Sequence, residues 1–406
     1  MKKEESRKEK DKGVDIYDII SSKFLENLLK FGEIELEDVI IEADKLAMKI
    51  PQMIPSRVRE AIPTLVVPKK IKEVEFIYPK MEWVGKIREV KIGATKGEGG
   101  TRSKSIVIGG ETVPPFYTFS QPTPHPPVIA FDIFDMKVSL PKAVRMHFED
   151  VMEDPAEWAK RCVNKYNAEA VNLHLVSTDP LIKDSPPSEA AKTVEKVLQA
   201  VDVPITVGGS GDAKKDMEVF KKVAEVAAGE RIMLNSLVKE MDLSKIAPII
   251  KNYNHVVVAF TPMDLDAARE LNRKLFEYFD KDQVVMDTNT GALGYGLEYG
   301  FTVMERARLA ALKGDEELQQ PLLSGSTNAW GARESWLKMD PEWEPRELRG
   351  PLWEFTTGLT MMFAGADYIM MMHPVSIQTL KDIITYLTSG QIAPEVDISN
   401  WVSAKI

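Results

Sequence analysis

Eight short apolar runs in the sequence each end in residues able to hydrogen-bond or titrate. Residues 128–134 carry Asp132 and are followed by Asp135, and residues 170–176 carry Asn172 and His174. Residues 204–207 run into Gly208-Gly209-Ser210-Gly211, residues 231–235 end at Asn235 before Ser236, and residues 255–260 are followed by Thr261. Residues 283–287 end at Asp287 and open into Thr288-Asn289-Thr290-Gly291. Residues 321–323 lead into Ser324-Gly325-Ser326-Thr327-Asn328, and residues 368–372 into His373. This set is rich in hydroxyls and amides and poor in charge. No lysine closes a run, which argues against a Schiff-base aldolase. No carboxylate pair suited to glycoside hydrolysis is evident unless Asp132 and Asp287 face each other. Amides and hydroxyls without a strong base suit holding a large neutral heterocycle.

Several of these residues carry two readings. Gly208 to Gly211 precede a helix that Asp212 would cap, so they make either an anion site at a helix N-terminus or a tight turn that needs only the glycines. His174 is either a satisfied barrel histidine or a site residue. His373 precedes Pro374 and either begins a turn or joins the site. The stretch from Asp287 to Gly296 is long and punctuated by Gly291, Gly294 and Gly296, and long loops on a scaffold tend to be functional.

The elements that position these residues follow from periodicity. Between the apolar runs lie amphipathic stretches at 155–166, 188–201, 213–228, 243–253, 265–279, 297–312 and 352–364, and another at 377–387 follows the last run. Continuously apolar strands separated by helices imply parallel strands buried on both faces. Eight such units in about 260 residues match a (β/α)8 barrel of the TIM type, whose strand C-termini share one face. A doubly wound open sheet is the runner-up, but no Gly-x-Gly-x-x-Gly turn follows the first strand.

Upstream, residues 1–13 read as a disordered, solvated tail of mixed charge, and residues 14–85 as an α-helical appendage. Ile16, Ile19, Ile20, Phe24, Leu28 and Phe31 recur there at helical spacing. Residues 86–127 read as a β-hairpin with a proline-rich connection, and residues 128–406 as the barrel. The loop from Gly93 to Lys104 resembles a phosphate cradle but fails the P-loop pattern: Ser103 precedes Lys104, and Glu98 stands where the first glycine belongs.

Composition narrows the function classes. Among 406 residues, 52 Lys and Arg face 62 Asp and Glu, for a net charge of -10. That balance argues against nucleic acid or an anionic membrane as partner. No window approaches the roughly 18 apolar residues of a membrane span, no export signal is visible, and a cytoplasmic location is expected. The single cysteine, Cys162, excludes an internal disulfide framework and any iron–sulfur cluster held by this chain's own thiolates. The five histidines are scattered, so no metal site is expected.

Three segments together are distinctive: the hairpin from Ile92 to Lys104, the following Ile108-Gly109-Gly110-Glu111-Thr112, and the rim Gly291-Ala292-Leu293-Gly294-Tyr295-Gly296-Leu297-Glu298-Tyr299. They resemble the delta-subunit family of archaeal acetyl-CoA decarbonylase/synthase complexes, the counterparts of the small subunit of the bacterial corrinoid/iron–sulfur protein. The resemblance covers about residue 86 to the end.

It implies a barrel that forms a heterodimer with a larger gamma subunit, within a complex of further subunits. The gamma subunit carries a cobamide and a [4Fe–4S] cluster, so the cluster sits on the partner and not on this chain. The pair would carry a methyl group between a tetrahydropterin (tetrahydrosarcinapterin or tetrahydromethanopterin) and the nickel–iron–sulfur site of acetyl-CoA synthesis. The barrel is also similar to pterin-binding methyltransferase barrels, with Asp132, Asn172, Asp287 and Asn289 as nearest equivalents of their Asp and Asn residues. Two readings follow: a non-catalytic barrel covering the cobamide, or a methyltransferase that binds the pterin itself. On either reading Asp132, Asn172, Ser210, Asn235, Asp287, Asn289, Ser326 and His373 are expected to converge on one mouth. Gly291, Gly294 and Gly296 would form its rim against the cobamide at the interface.

Overall fold

The structure is a computed structural model that describes residues 82–117 and 122–389. The expected tail and all but residues 82–85 of the expected helical appendage lie outside the described residues.

Two antiparallel strands come first, β1 (Glu89–Ile92) and β2 (Ile106–Gly109). Eight parallel strands follow: β3 (Val128–Phe134), β4 (Ala170–His174), β5 (Ile205–Gly208), β6 (Met233–Leu237), β7 (Val256–Phe260), β8 (Val284–Asp287), β9 (Leu322–Gly325) and β10 (Ala366–Met371). β10 pairs with both β9 and β3, so the sheet closes into a barrel in sequence order. Closure rules out the open doubly wound sheet.

Each strand buries both faces. In β3, Val128 and Ala130 join the lumen cluster, while Ile129, Phe131 and Ile133 join the cluster beneath the helices. Parity therefore assigns every later residue of a strand to lumen or shell.

The helices are α1 (Lys142–Phe148), α2 (Pro155–Tyr166), α3 (Pro187–Ala200), α4 (Ala213–Val226), α5 (Leu243–Asn252), α6 (Leu265–Leu275), α7 (Leu297–Leu312), α8 (Arg346–Ala364) and α9 (Pro374–Ser389). Local chemistry starts several of them. Asp154 accepts from the Ala156 and Glu157 N–H groups ahead of α2, with Pro155 in the first turn; Asp212 and Asp264 cap α4 and α6 in the same manner.

Two features depart from the sequence reading. The short helix α1 was not expected, and α8 begins six residues before residue 352, running through Pro351. The early start is held by tertiary contact: the Arg349 guanidinium donates to the carbonyls of Glu334 (2.6 Å), Trp343 (2.6 Å) and Leu337. These anchors fix the first turn against the one-turn helices that fill residues 326–343.

The hairpin plugs one end of the barrel. Val90, Ile92, Ile106 and Ile108 pack into the same lumen cluster as Val128, Met233, Val256 and Val285, and burying each contributes on the order of 1.5–3 kcal/mol. The Gly93 and Ser103 N–H groups donate to the Arg231 (2.8 Å) and Asp202 (2.7 Å) carbonyls, which lie before β6 and β5. The plugged end is thus the N-terminal one, and the C-terminal end remains as the mouth. The loop that looked like a phosphate cradle is a structural clasp. Arg102 donates from Nε to Glu230 (2.8 Å) and from its two Nη atoms to the carbonyls of Val201 (2.5 Å) and Leu198 (2.8 Å).

Candidate functional site

Inward parity delivers four of the expected residues to the mouth. Asp132 continues the inward series Val128, Ala130; Asn172 and His174 continue Ala170; Asn235 follows Met233; Asp287 follows Val285. On the β3–β4 side they form a network. Asn172 Nδ2 donates to Asp132 Oδ1 at 2.6 Å and lies 2.8 Å from His174 Nε2, while that nitrogen is 3.3 Å from Asp132 Oδ1. The second Asp132 oxygen accepts from the Thr327 hydroxyl. The His174 ring stacks on Phe134 with centroids 5.2 Å apart. Burial works to lower the His174 pKa, but the Asp132 and Asp135 carboxylates together outweigh it and the net shift is upward.

Across the lumen the chemistry is sparser. Asn235 Nδ2 meets only the Met370 thioether, at 3.7 Å, a weak acceptor. Asp287 accepts one hydrogen bond, from the Asn289 N–H at 2.7 Å. Asn289 itself holds a left-handed φ of 71°, which asparagine tolerates. Burial pushes the Asp287 carboxyl up to about 7. The mouth therefore holds a carboxyl poised at neutral pH and an imidazole shifted upward, both able to exchange protons. The sequence reading places both residues at the strand ends but identifies no acid or base among them.

Other expected residues lie elsewhere. Ser210 is committed to Asp216, whose carboxylate accepts from its N–H and hydroxyl (both 2.8 Å) and from the Gly211 N–H (2.9 Å). A Cβ on Gly209 would come within 2.4 Å of that carboxylate. The glycine turn thus receives the chain's own anion, and the tight-turn reading holds.

Ser326 joins a hydroxyl chain on the shell side of β9, with Ser324 (2.9 Å) and on to Thr290 (3.0 Å). Its neighbour Thr327 is the one that reaches Asp132, a contact that a one-turn helix after β9 hides from strand parity. His373 is fully buried in an aromatic cluster with His147 and Trp330, ring centroids 4.9 and 6.1 Å away. Its N–H is held by Glu354 at 2.9 Å. It belongs to the packing of α8 and α9 on the barrel.

The rim at 291–296 is a compact loop. A Cβ on Gly291 would meet the Gly296 carbonyl oxygen at 1.9 Å, while Gly294 and Gly296 hold φ of 69° and 85°. These glycines serve the loop's own geometry. At the opposite, plugged end a groove of about 700 Å³ runs past Arg102, Glu195, Gln199 and Asp202, but its arginine is already spent on Glu230 and backbone carbonyls.

The sequence model of the CO dehydrogenase/acetyl-CoA synthase delta subunit family matches residues 89–339, from the hairpin plug through β9 and the turns that follow. The chain belongs to this family. The acetyl-CoA decarbonylase/synthase complex subunit delta of Archaeoglobus fulgidus is 50% identical over 353 residues, covering 85% of this chain and 78% of that one. The subunit delta of Methanocaldococcus jannaschii is 46% identical over 385 residues, covering 92% and 94%. That of Methanopyrus kandleri is 44% identical over 407 residues, covering 97% and 99%. As a delta subunit, the chain is a component of a multi-subunit acetyl-CoA decarbonylase/synthase complex.

Among solved structures, the chain is similar to Xanthomonas albilineans dihydropteroate synthase with 4-aminobenzoic acid, at 15% identity and a TM-score of 0.46, covering 66% of this chain and 95% of that one. It is also similar to Yersinia pestis dihydropteroate synthase in a sulfonamide drug complex, at 13% identity and a TM-score of 0.47, with the same coverage.

The delta subunit's own residues do not fit an iron–sulfur cluster. Cys162 is the sole cysteine in the sequence; it is buried in α2 against the barrel, and burial raises its thiol pKa well above the ordinary value. Among the described residues no three metal-ligating side chains converge, and no helix is long and apolar enough to cross a membrane.

Proposed function

We propose that this delta subunit takes part in methyl transfer between a tetrahydropterin and the acetyl-CoA synthase site of its complex. In this reading its barrel mouth receives the pterin, and its rim meets the gamma subunit, which carries the cobamide and the [4Fe–4S] cluster. The observation that carries the reading is Asp287: a lumen carboxyl with one hydrogen bond, poised near neutral and facing the same lumen as the Asn235 amide. A pterin ring offers an edge of adjacent N–H and C=O groups, and a carboxyl and an amide are the complement of such an edge.

The cobamide supplies the centre that accepts or returns the methyl group. The rim suits a large planar partner group. Tyr295 and Tyr299 after β8 and Trp343 after β9 are more than half exposed, and all follow strand C-termini at the mouth. Exposed aromatic groups gathered around one opening mark an interaction surface.

Calorimetric titration with a methylated tetrahydropterin tests the reading. Wild type is expected to bind, and Asp287→Ala to weaken binding by on the order of 1–3 kcal/mol, because ring groups are left unpaired. Absence of binding heat with wild type, in the presence and absence of the gamma subunit, would reject the pterin and leave a barrel that only covers the cobamide.

A further inference from the structure

Two features on the β3–β4 side of the mouth are not used by this reading. The first is the His174 imidazole. Its Nε2 is held between Asp132 and Asn172, yet its side chain is still 24% exposed. Its other ring nitrogen lies over Gly208, where an added Cβ would come within 3.1 Å of Nδ1. That nitrogen makes no hydrogen bond among the described residues and is not among the buried unpartnered atoms. The second is Asn172, fully buried, whose Oδ1 has no partner although its Nδ2 donates to Asp132 and lies 2.8 Å from His174 Nε2.

A histidine kept only for packing looks different in this protein. His255 is fully buried with Nε2 on the Ala224 carbonyl at 2.9 Å, and burial lowers its pKa to about 4. His174 is instead gripped at one nitrogen by a carboxylate and open at the other.

We propose that His174 is the proton donor of the mouth, passing the Nδ1 proton to the pterin nitrogen that loses the methyl group, with Asp132, itself held by Asn172, positioning the ring through Nε2. The inference rests on a methylated tetrahydropterin occupying the mouth. In the step, the C–N bond breaks and its electron pair stays on the nitrogen, which gains the proton. The methyl carbon forms its new bond with an electron pair brought by the acceptor, a low-valent corrinoid metal centre on the partner subunit. The imidazole is left neutral, with Nε2–H directed at Asp132 Oδ1, and the reverse reaction returns the proton to Nδ1. Without protonation an amine nitrogen is a poor leaving group, and a positioned general acid typically supplies a factor of about 10²–10⁴.

The surroundings suit a donor. The charged groups acting on the ring are Asp132 from β3 and Asp135 from the loop after it. Asp135 holds the Ser177 N–H (3.0 Å) and hydroxyl (2.5 Å) and is itself influenced by Lys183. β5 brings the uncharged Gly208 against the ring. Two carboxyl groups therefore favour the imidazolium.

The test combines single-turnover methyl transfer in the assembled complex, across about pH 5.5 to 9, with calorimetric binding of the methylated pterin. His174→Gln is expected to bind the pterin within about threefold of wild type and to lose about 10²-fold or more in rate. It should also lose the alkaline limb of the pH profile. Asp132→Asn is expected to move that limb to lower pH, together with the His174 resonance in an NMR titration of histidine-labelled protein. This second variant decides the matter if the first fails to fold. Wild-type rate and an unchanged alkaline limb in His174→Gln, with pterin binding retained, would overturn the proton-donor assignment and leave the proposed function standing. Failure of wild type to bind the pterin would overturn the reading beneath it.

Discussion

The hydroxyls of Thr206 and Tyr368 meet 2.8 Å apart inside the barrel, reaching from β5 to β10 past the two strands between them. Thr206 sits in register with Asn172, which sits in register with Asp132, so the bond lies at the floor of the mouth. Toward the plugged end the lumen is filled by aliphatic side chains of the strands and the hairpin. Toward the open end it turns polar. The Tyr368 hydroxyl, pushed upward in pKa by burial, keeps its proton and marks the boundary.

Tyr368→Phe should therefore leave the buried Thr206 hydroxyl without a partner. The expected loss is about 1–3 kcal/mol of stability, read as a lower urea midpoint with an unchanged m value. Thr206→Val combined with Tyr368→Phe should recover part of it, since both polar groups are then gone.

Arg102 is expected to be the most sensitive residue of the plug. Its side chain is 2% exposed and its partner Glu230 11%, so Arg102→Leu strands a nearly buried carboxylate. Removing one partner of a buried pair costs about 3–5 kcal/mol. Denaturant unfolding measures the total. Faster hydrogen exchange at β1 and β2 than in the mouth strands would show that the plug loosens first.

Much of this architecture is legible in the residues themselves. The continuously apolar runs and the helices between them specify a closed barrel, because strands apolar on both faces need cover inside and out. Parity alone carries Asp132, Asn172, Asn235 and Asp287 into the lumen. The same rule stops at strand ends. Ser210 and Ser326 lie in turns, where the local hydrogen bonds to Asp216 and Ser324 decide direction. His373 lies two residues past the end of β10 and is claimed by aromatic packing with His147 of α1 and Trp330 of the one-turn helix after β9. The plug was also hidden: the strands of the hairpin are readable from sequence, but not that its apolar face enters the lumen, since that depends on which barrel end is otherwise unfilled.

Asp287→Asn should stabilise the protein in a pH-dependent way. The folded-state carboxyl titrates at about 7, against an ordinary value of 3.8. A raised carboxyl pKa means that the unfolded chain releases its proton first, so stability is lost as pH rises from about 4 to about 7. Asparagine keeps the acceptor for the Asn289 N–H and removes that loss. The variant should match wild type near pH 4 and exceed it by a few kcal/mol above pH 7, as measured by urea unfolding at both ends. If the proposed function holds, the same variant weakens pterin binding, trading the site for stability.

The three rim glycines should respond differently to alanine. At Gly291 the new methyl would lie 1.9 Å from the Gly296 carbonyl oxygen, a backbone contact that no rotamer can relieve, so the loop must move. At Gly294 the nearest atom is Trp353 Nε1 at 3.8 Å, and the only cost is a left-handed φ, worth about 1 kcal/mol. Gly296, with Tyr299 3.5 Å away and φ of 85°, resembles Gly294 in this respect. Gly291→Ala is accordingly expected to raise hydrogen exchange across residues 289–300 and to displace the exposed Tyr295 and Tyr299. Gly294→Ala should lower the unfolding midpoint slightly and leave exchange in the loop unchanged. If the rim meets the gamma subunit, association measured by sedimentation should weaken in Gly291→Ala and persist in Gly294→Ala. Equal association of both variants, with the loop displaced only in the first, would remove the rim from that interface.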